Sequence, residues 1–93
     1  HSTPKAQAVK TLEETGELLE AATALTILPQ HHPQYGYWLE KYKDAAGDIL
    51  VTLINGCALA GVDLIGDCLA VAYDEIKDRK GVLTPEGIFL KET

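Results

Sequence analysis

Four carboxylates crowd the segment Glu13-Glu14-Thr15-Gly16-Glu17-Leu18-Leu19-Glu20. In a helix they fall within two turns, where residues three and four apart stand side by side. Glu13/Glu17 and Glu14/Glu17 would repel by roughly a few tenths of a kcal/mol per pair, and no lysine is interleaved among them. A cation is the natural relief. Carboxylate oxygens on adjacent turns point the same way and can share Mg²⁺, which takes one or two carboxylates together with substrate phosphates. Gly16 favours that reading, because glycine inside a helix costs about 1 kcal/mol relative to alanine and a merely solvated helix gains nothing from it. Close approach by a ligand or another helix accounts for it better; a solvated acidic face is the ordinary alternative.

A second polar set, Asp44, Asp48, Thr52 and Asn55, recurs at helical spacing in an otherwise apolar stretch. Buried carboxylates and amides need partners. A metal bridging Asp48 to the glutamates would supply one. The alternative is that Asp48, Thr52 and Asn55 are enclosed and pair with a neighbouring subunit. Gly47, just before Asp48, again permits close approach. A third set, Lys77, Arg79 and Lys80, could clamp phosphate oxygens, arginine as a bidentate fork and lysine as a point charge, or simply serve as helix-end cations. No Ser/His/Asp or Cys/His arrangement and no glycine-rich phosphate loop occurs in the sequence. His31 and His32 read as surface residues of a loop. Cys57 and Cys68 read as reduced core residues.

These groups need helices to position them. Ser2-Thr3-Pro4 offers a capping hydroxyl and a proline for the first turn, and no breaker follows until Pro29, so one helix is expected over 4–28. Val9, Leu12, Leu19 and Thr26 line one side of it, and Leu18, Ala22, Leu25 and Leu28 another. Two stripes imply two neighbours. Residues 29–37 read as a loop, a second helix is expected from about Trp38 to Ala60, and Gly61 is placed to cap it in the left-handed conformation. Its later half, 49–60, is nearly all apolar, the mark of a helix enclosed on most sides. Asp63 should cap a third helix over 64–80, with Leu64, Ile65, Cys68, Leu69, Ala72 and Ile76 inward and Gly81 ending it. The tail 82–93 holds a turn at Thr84-Pro85-Glu86-Gly87 and a short extended piece at Ile88-Phe89-Leu90.

Eight basic residues against fourteen acidic ones leave a net charge of −6 over 93 residues. With no Lys/Arg-rich block, a nucleic acid polymer is excluded as the main partner; the negative balance points to cations. At 46% hydrophobic and 24% charged, the chain belongs with folding domains rather than disordered ones. No apolar run reaches the roughly 18 residues of a membrane span and no leader pattern opens the sequence, so a cytoplasmic protein without a membrane partner is expected. His1 and Ser2 carry no weight. One domain over 1–93 is expected, all-α, an antiparallel bundle of long helices. A chain this short supports only a marginal core, so oligomerisation is the expected remedy.

Taken in order, Glu13-Glu14-Thr15-Gly16-Glu17 and Ala45-Ala46-Gly47-Asp48 resemble the paired EExxE and ExxD motifs of the all-α nucleoside triphosphate pyrophosphohydrolases. That MazG-like group includes dimeric dUTPases, dCTP pyrophosphatases and phosphoribosyl-ATP pyrophosphohydrolases. The likeness runs on through 47–55, 61–64, 76–81 and 87–92, so it covers nearly the whole chain. One motif position departs: Ala45 stands where the family has glutamate, and the adjacent Asp44 is rotated by ~100° on the helix. The resemblance implies a dimer or dimer of dimers and Mg²⁺, with Mn²⁺ as a substitute, held by Glu14, Glu17 and Asp48. It implies hydrolysis of a nucleoside triphosphate, deoxynucleotides foremost, between the α- and β-phosphates in a house-cleaning role. Glu13 would be a ligand or orient the attacking water, and Asp44 could reach in beside Ala45. Asn55, Lys77, Arg79 and Lys80 would contact substrate, while Trp38, Tyr35 or Tyr37 would stack on the base. Ala45 also admits a degenerate member that binds nucleotide or metal without turnover, and a purely structural dimerisation bundle is the third reading.

Overall fold

A computed structural model of the chain describes residues 2–77, 81–83 and 85–91. Thr3 is extended, and its hydroxyl accepts a hydrogen bond from the Ala6 amide at 3.0 Å, so the helix α1, Pro4–Ile27, starts with a satisfied donor and a proline in its first turn. It ends one residue earlier than expected. Leu28 precedes Pro29, whose ring disfavours helical geometry in the residue before it, and Leu28 is extended at φ −79°, ψ 135°.

The connection is shorter than the sequence suggested. Two linked turns, His32 N–H to the Pro29 carbonyl at 2.9 Å and Tyr35 N–H to the His32 carbonyl at 3.0 Å, deliver the chain directly into α2, Tyr35–Ala60. The expected loop residues Tyr35, Gly36 and Tyr37 therefore form its first turn, closed by the Trp38 amide on the Gln34 carbonyl at 3.2 Å. No side chain caps this end, so the usual sequence signal is missing. At the other end Gly61 takes the left-handed conformation, φ 78°. The Gly61 and Val62 amides bond back to the carbonyls of Ala58 and Cys57, the Schellman pattern.

The two helices run antiparallel, and two contacts give their register. The Thr11 and Thr52 hydroxyls are 2.7 Å apart. A Cβ built at Gly56 would lie 3.3 Å from the Gln7 Cβ, so glycine is what lets the backbones approach there. Close approach occurs at Gly56, not at Gly16 or Gly47, both of which face open space in this chain. Moving four residues along α1 from Gln7 to Thr11 moves four back along α2; one more step sets Thr15 opposite Asp48.

Of the two apolar stripes on α1, α2 covers one. Leu18, Ala22, Leu25 and Leu28 are half-buried and Ala21 is fully enclosed, whereas Leu12 is 73% and Leu19 67% exposed. The later half of α2 is likewise not enclosed, with Leu50, Val51, Leu53, Ile54 and Leu59 all exposed. Among the described residues only Ala21 and Ala45 are fully buried, and no large side chain is. A two-helix hairpin has one interface and cannot surround a side chain.

The chain divides into two compact units between Val62 and Asp63. In the second, the expected single helix over 64–80 is instead a π-helical stretch, Leu64–Leu69, leading into α3, Ala70–Ile76. The Asp63 carbonyl accepts from both Asp67 N–H and Cys68 N–H, at 2.9 and 3.1 Å, and the five-residue span to Cys68 is the wider π turn. Asp63 caps it as expected, its carboxylate taking the Gly66 amide while the Asp67 carboxylate takes the Asp63 amide at 2.8 Å. Leu64 and Cys68 are half-buried, but Ile65, Leu69, Ala72 and Ile76 are exposed rather than inward. A two-stranded antiparallel hairpin closes the unit: β1, Gly81–Leu83, pairs with β2, Phe89–Lys91, in the register Val82 to Leu90. Gly87 sits at φ 85° in its turn. Gly81 thus begins a strand, residues 78–80 lie outside the described residues, and helices make up all the rest of the regular structure described. No single described helix is long and apolar enough to cross a membrane.

Candidate functional site

Residues three apart on α1 put the Glu14 and Glu17 carboxyls on one face, and the α1–α2 register sets Asp48 across from them. The Glu14 carboxyl is pushed above its ordinary value, first by the hydrogen-bonding approach of the Glu17 side chain. Burial, the Glu17 charge and the Asp48 charge push the same way; Lys10 pulls against them. Glu14 is half-buried, and its Oε2 is enclosed without any hydrogen-bond partner.

The remaining acidic candidates are spread along the same two helices. Glu13 faces outward in a 3.7 Å ion pair with Lys10, so it does have a relieving lysine, one turn earlier than the interleaved positions. Both side chains are largely exposed, which leaves the pair worth little. Asp48 and Asn55 are exposed, so neither is enclosed within this chain. Thr52 is half-buried and its hydroxyl is taken up by Thr11 and by the Ile49 carbonyl at 2.9 Å. Asp44 joins Glu17 and Glu20 around a cavity of about 230 Å³ that Tyr37, Lys41 and Ala45 complete. Ala45 itself is 3% exposed.

Of the other substrate candidates, Lys77 pairs with Asp74 at 3.1 Å in the second unit, and Arg79 and Lys80 lie outside the described residues. Trp38 is half-buried with Tyr37 edge-on to it, ring centroids 5.2 Å apart. Tyr37 is the ring that lines the cavity. His31 is exposed, and His32 Nδ1 accepts the Gln34 amide at 3.1 Å within the loop. Cys57 and Cys68 are half-buried and form no disulfide.

Sequence reasoning passed over Lys41, and counted Glu20 among the four clustered carboxylates without giving it a site role. The signal was there in part: Lys41 and Ala45 are one turn apart on α2, and Glu17 and Glu20 are likewise on α1. Which turn of α2 met which turn of α1 was not readable from spacing.

As the side chains stand, no three of the described His, Cys, Asp and Glu residues are grouped to hold a metal ion. The chemistry of the donors nevertheless fits Mg²⁺. All are hard carboxylate oxygens, one of them an enclosed Glu14 oxygen with no hydrogen-bond partner. The chain matches no family model, no curated protein and no solved structure.

Proposed function

We propose that this chain is a Mg²⁺-dependent nucleoside triphosphate pyrophosphohydrolase of the MazG-like kind. It cleaves a (d)NTP with water between the α- and β-phosphates, releasing the monophosphate and pyrophosphate, as part of nucleotide house-cleaning. The observation that carries the reading is Glu14 Oε2, enclosed and unpartnered on the helix face shared with Glu17, with the Asp48 charge set against it. An enclosed carboxylate oxygen with no donor beside it is suited to a divalent cation. Mg²⁺ bound there supplies positive charge to the triphosphate and to the departing pyrophosphate; Mn²⁺ is the expected substitute. Glu14, Glu17 and Asp48 hold the cation, Asp44 lies at the next turn, and Glu13 serves as an outer ligand or orients the attacking water.

The working form is a homodimer or a dimer of dimers. Its support is the exposed α1 stripe together with the exposed later half of α2, since exposed apolar side chains on a small helical hairpin are what a second copy would cover. Cytoplasmic location goes with a nucleotide substrate.

The test is pyrophosphate release from a panel of dNTPs with Mg²⁺ and with chelator. Release that needs Mg²⁺ and is lost in Glu14→Gln and Asp48→Asn supports the enzyme; no release from any substrate removes it. Ala45, buried where a ligand carboxylate would be expected, favours a second reading in which the site binds without turnover. Mn²⁺ titration followed by thermal unfolding decides that case, because a ligand that binds only the folded chain raises its apparent stability.

A further inference from the structure

The geometry points to Lys41 as the residue of this chain that contacts the substrate's phosphates, at the junction of two cavities, a role that rests on the triphosphate reading above. The smaller cavity, about 230 Å³, is polar and holds Glu17, Glu20, Asp44 and Ala45 besides Lys41 and Tyr37. At ~30 Å³ per water it has room for roughly seven, enough for phosphate groups and too little for a whole nucleotide. The larger, about 710 Å³ and more open, adds Gly36, Glu40 and Lys43 and shares Tyr37, Lys41 and Asp44 with the first. Lys41 and Tyr37 therefore stand where a phosphate chain would pass from one space to the other.

Lys41 is available for that contact. Lys10, Lys43 and Lys77 form exposed ion pairs with Glu13, Glu40 and Asp74, whereas Lys41 makes none among the described residues, although three carboxylates share its cavity. Its Nζ lies instead over the Tyr37 ring, 5.5 Å from the centroid. A ring face holds an ammonium weakly and without neutralising it, so the charge remains free for an incoming anion. Ala45 matters for the same reason. A glutamate at that position would be four residues beyond Lys41 on the same face, the spacing at which opposite charges pair, and would tie the ammonium down.

The test is calorimetric titration of Mg²⁺-tripolyphosphate into the 93-residue chain, its Lys41→Met variant and its Lys41→Arg variant, with Mn²⁺ alone titrated in parallel. Lys41→Met should bind tripolyphosphate about tenfold more weakly, the expected loss for one charged hydrogen bond, while Lys41→Arg stays within about threefold of wild type. Mn²⁺ should bind Lys41→Met at least as well as wild type, because a competing cation is gone. Tripolyphosphate affinity unchanged in Lys41→Met overturns the Lys41 role and leaves the triphosphate reading standing. Loss of Mn²⁺ and tripolyphosphate binding together also overturns it, marking a structural role. No tripolyphosphate binding by wild type overturns both.

Discussion

The hydroxyls of Thr11 and Thr52 meet at 2.7 Å across 41 residues of sequence, and this contact pins the register in which α1 faces α2. Each hydroxyl also lies 2.9 Å from a carbonyl of its own helix, Gln7 for Thr11 and Ile49 for Thr52. Two protons thus serve three short contacts: one hydroxyl donates to its own helix, and the other donates across. Asp48 sits one turn before Thr52, so whatever shifts this contact shifts the carboxylates too.

Thr52→Val should lower stability by about 1 kcal/mol, because the Thr11 hydroxyl loses its cross-helix partner while remaining half-buried. The double variant Thr11→Val/Thr52→Val should cost less than the sum of the two single changes, since replacing both partners leaves no orphan. Urea unfolding of the four proteins measures the coupling; strict additivity would show that the contact contributes nothing.

Glu14 sets a pH dependence whose sign follows from its direction of shift. Its carboxyl is raised above 4.5, first by the Glu17 hydrogen bond, then by burial and by the Glu17 and Asp48 charges. The folded chain holds that proton more tightly than the unfolded one, so the associated stability is present below pH 4.5 and is lost as pH rises through the raised folded value. In chelator, Glu14→Gln should therefore unfold at a higher temperature than wild type at pH 7 and at nearly the same temperature near pH 4. Mg²⁺ should close the gap at pH 7. A wild type that is the more stable of the two at pH 7 in chelator would contradict the assignment.

Gly16 faces open space in the chain, so a methyl group there meets nothing. Gly16→Ala should raise stability by up to about 1 kcal/mol through helix propensity alone. If a ligand or a second copy approaches at this point, the same change should reduce Mg²⁺-dependent turnover. Thermal unfolding and pyrophosphate release on one preparation read both effects; gain in stability with full activity would make Gly16 an ordinary exposed glycine.

Leu12, largely exposed on the uncovered side of α1, tests assembly. Leu12→Asp should shift sedimentation toward the single chain and remove the dependence of the unfolding temperature on protein concentration that an oligomer must show. A wild type that sediments as a single chain at every concentration would dispose of the proposed assembly.

Much of the helical framework was legible locally. Thr3 before Pro4 and Gly61 after Ala60 are cap signals that act within a turn of backbone, and both act as read. The start of α2 was not legible, because Gln34 lends no side-chain cap and Gly36 looks like a breaker. Nor was the π-helical opening at Leu64–Leu69, where reciprocal capping by Asp63 and Asp67 accompanies a wider turn that spacing alone renders as an ordinary helix.

The sequence by itself determined that two long helices form, where the first begins and the second ends, and that Glu14 and Glu17 share a face, because caps act within a turn of backbone and helical pitch converts spacing into angle without reference to anything else. Only the tertiary structure decided that this face meets Asp48, that Leu18 is covered while Leu19 is not, and that Lys41 rests on Tyr37 beside Ala45. Those facts depend on how one helix is rotated and slid against another. Rotation and slide are set by contacts such as Thr11 with Thr52 and Gln7 with Gly56, between residues far apart along the chain.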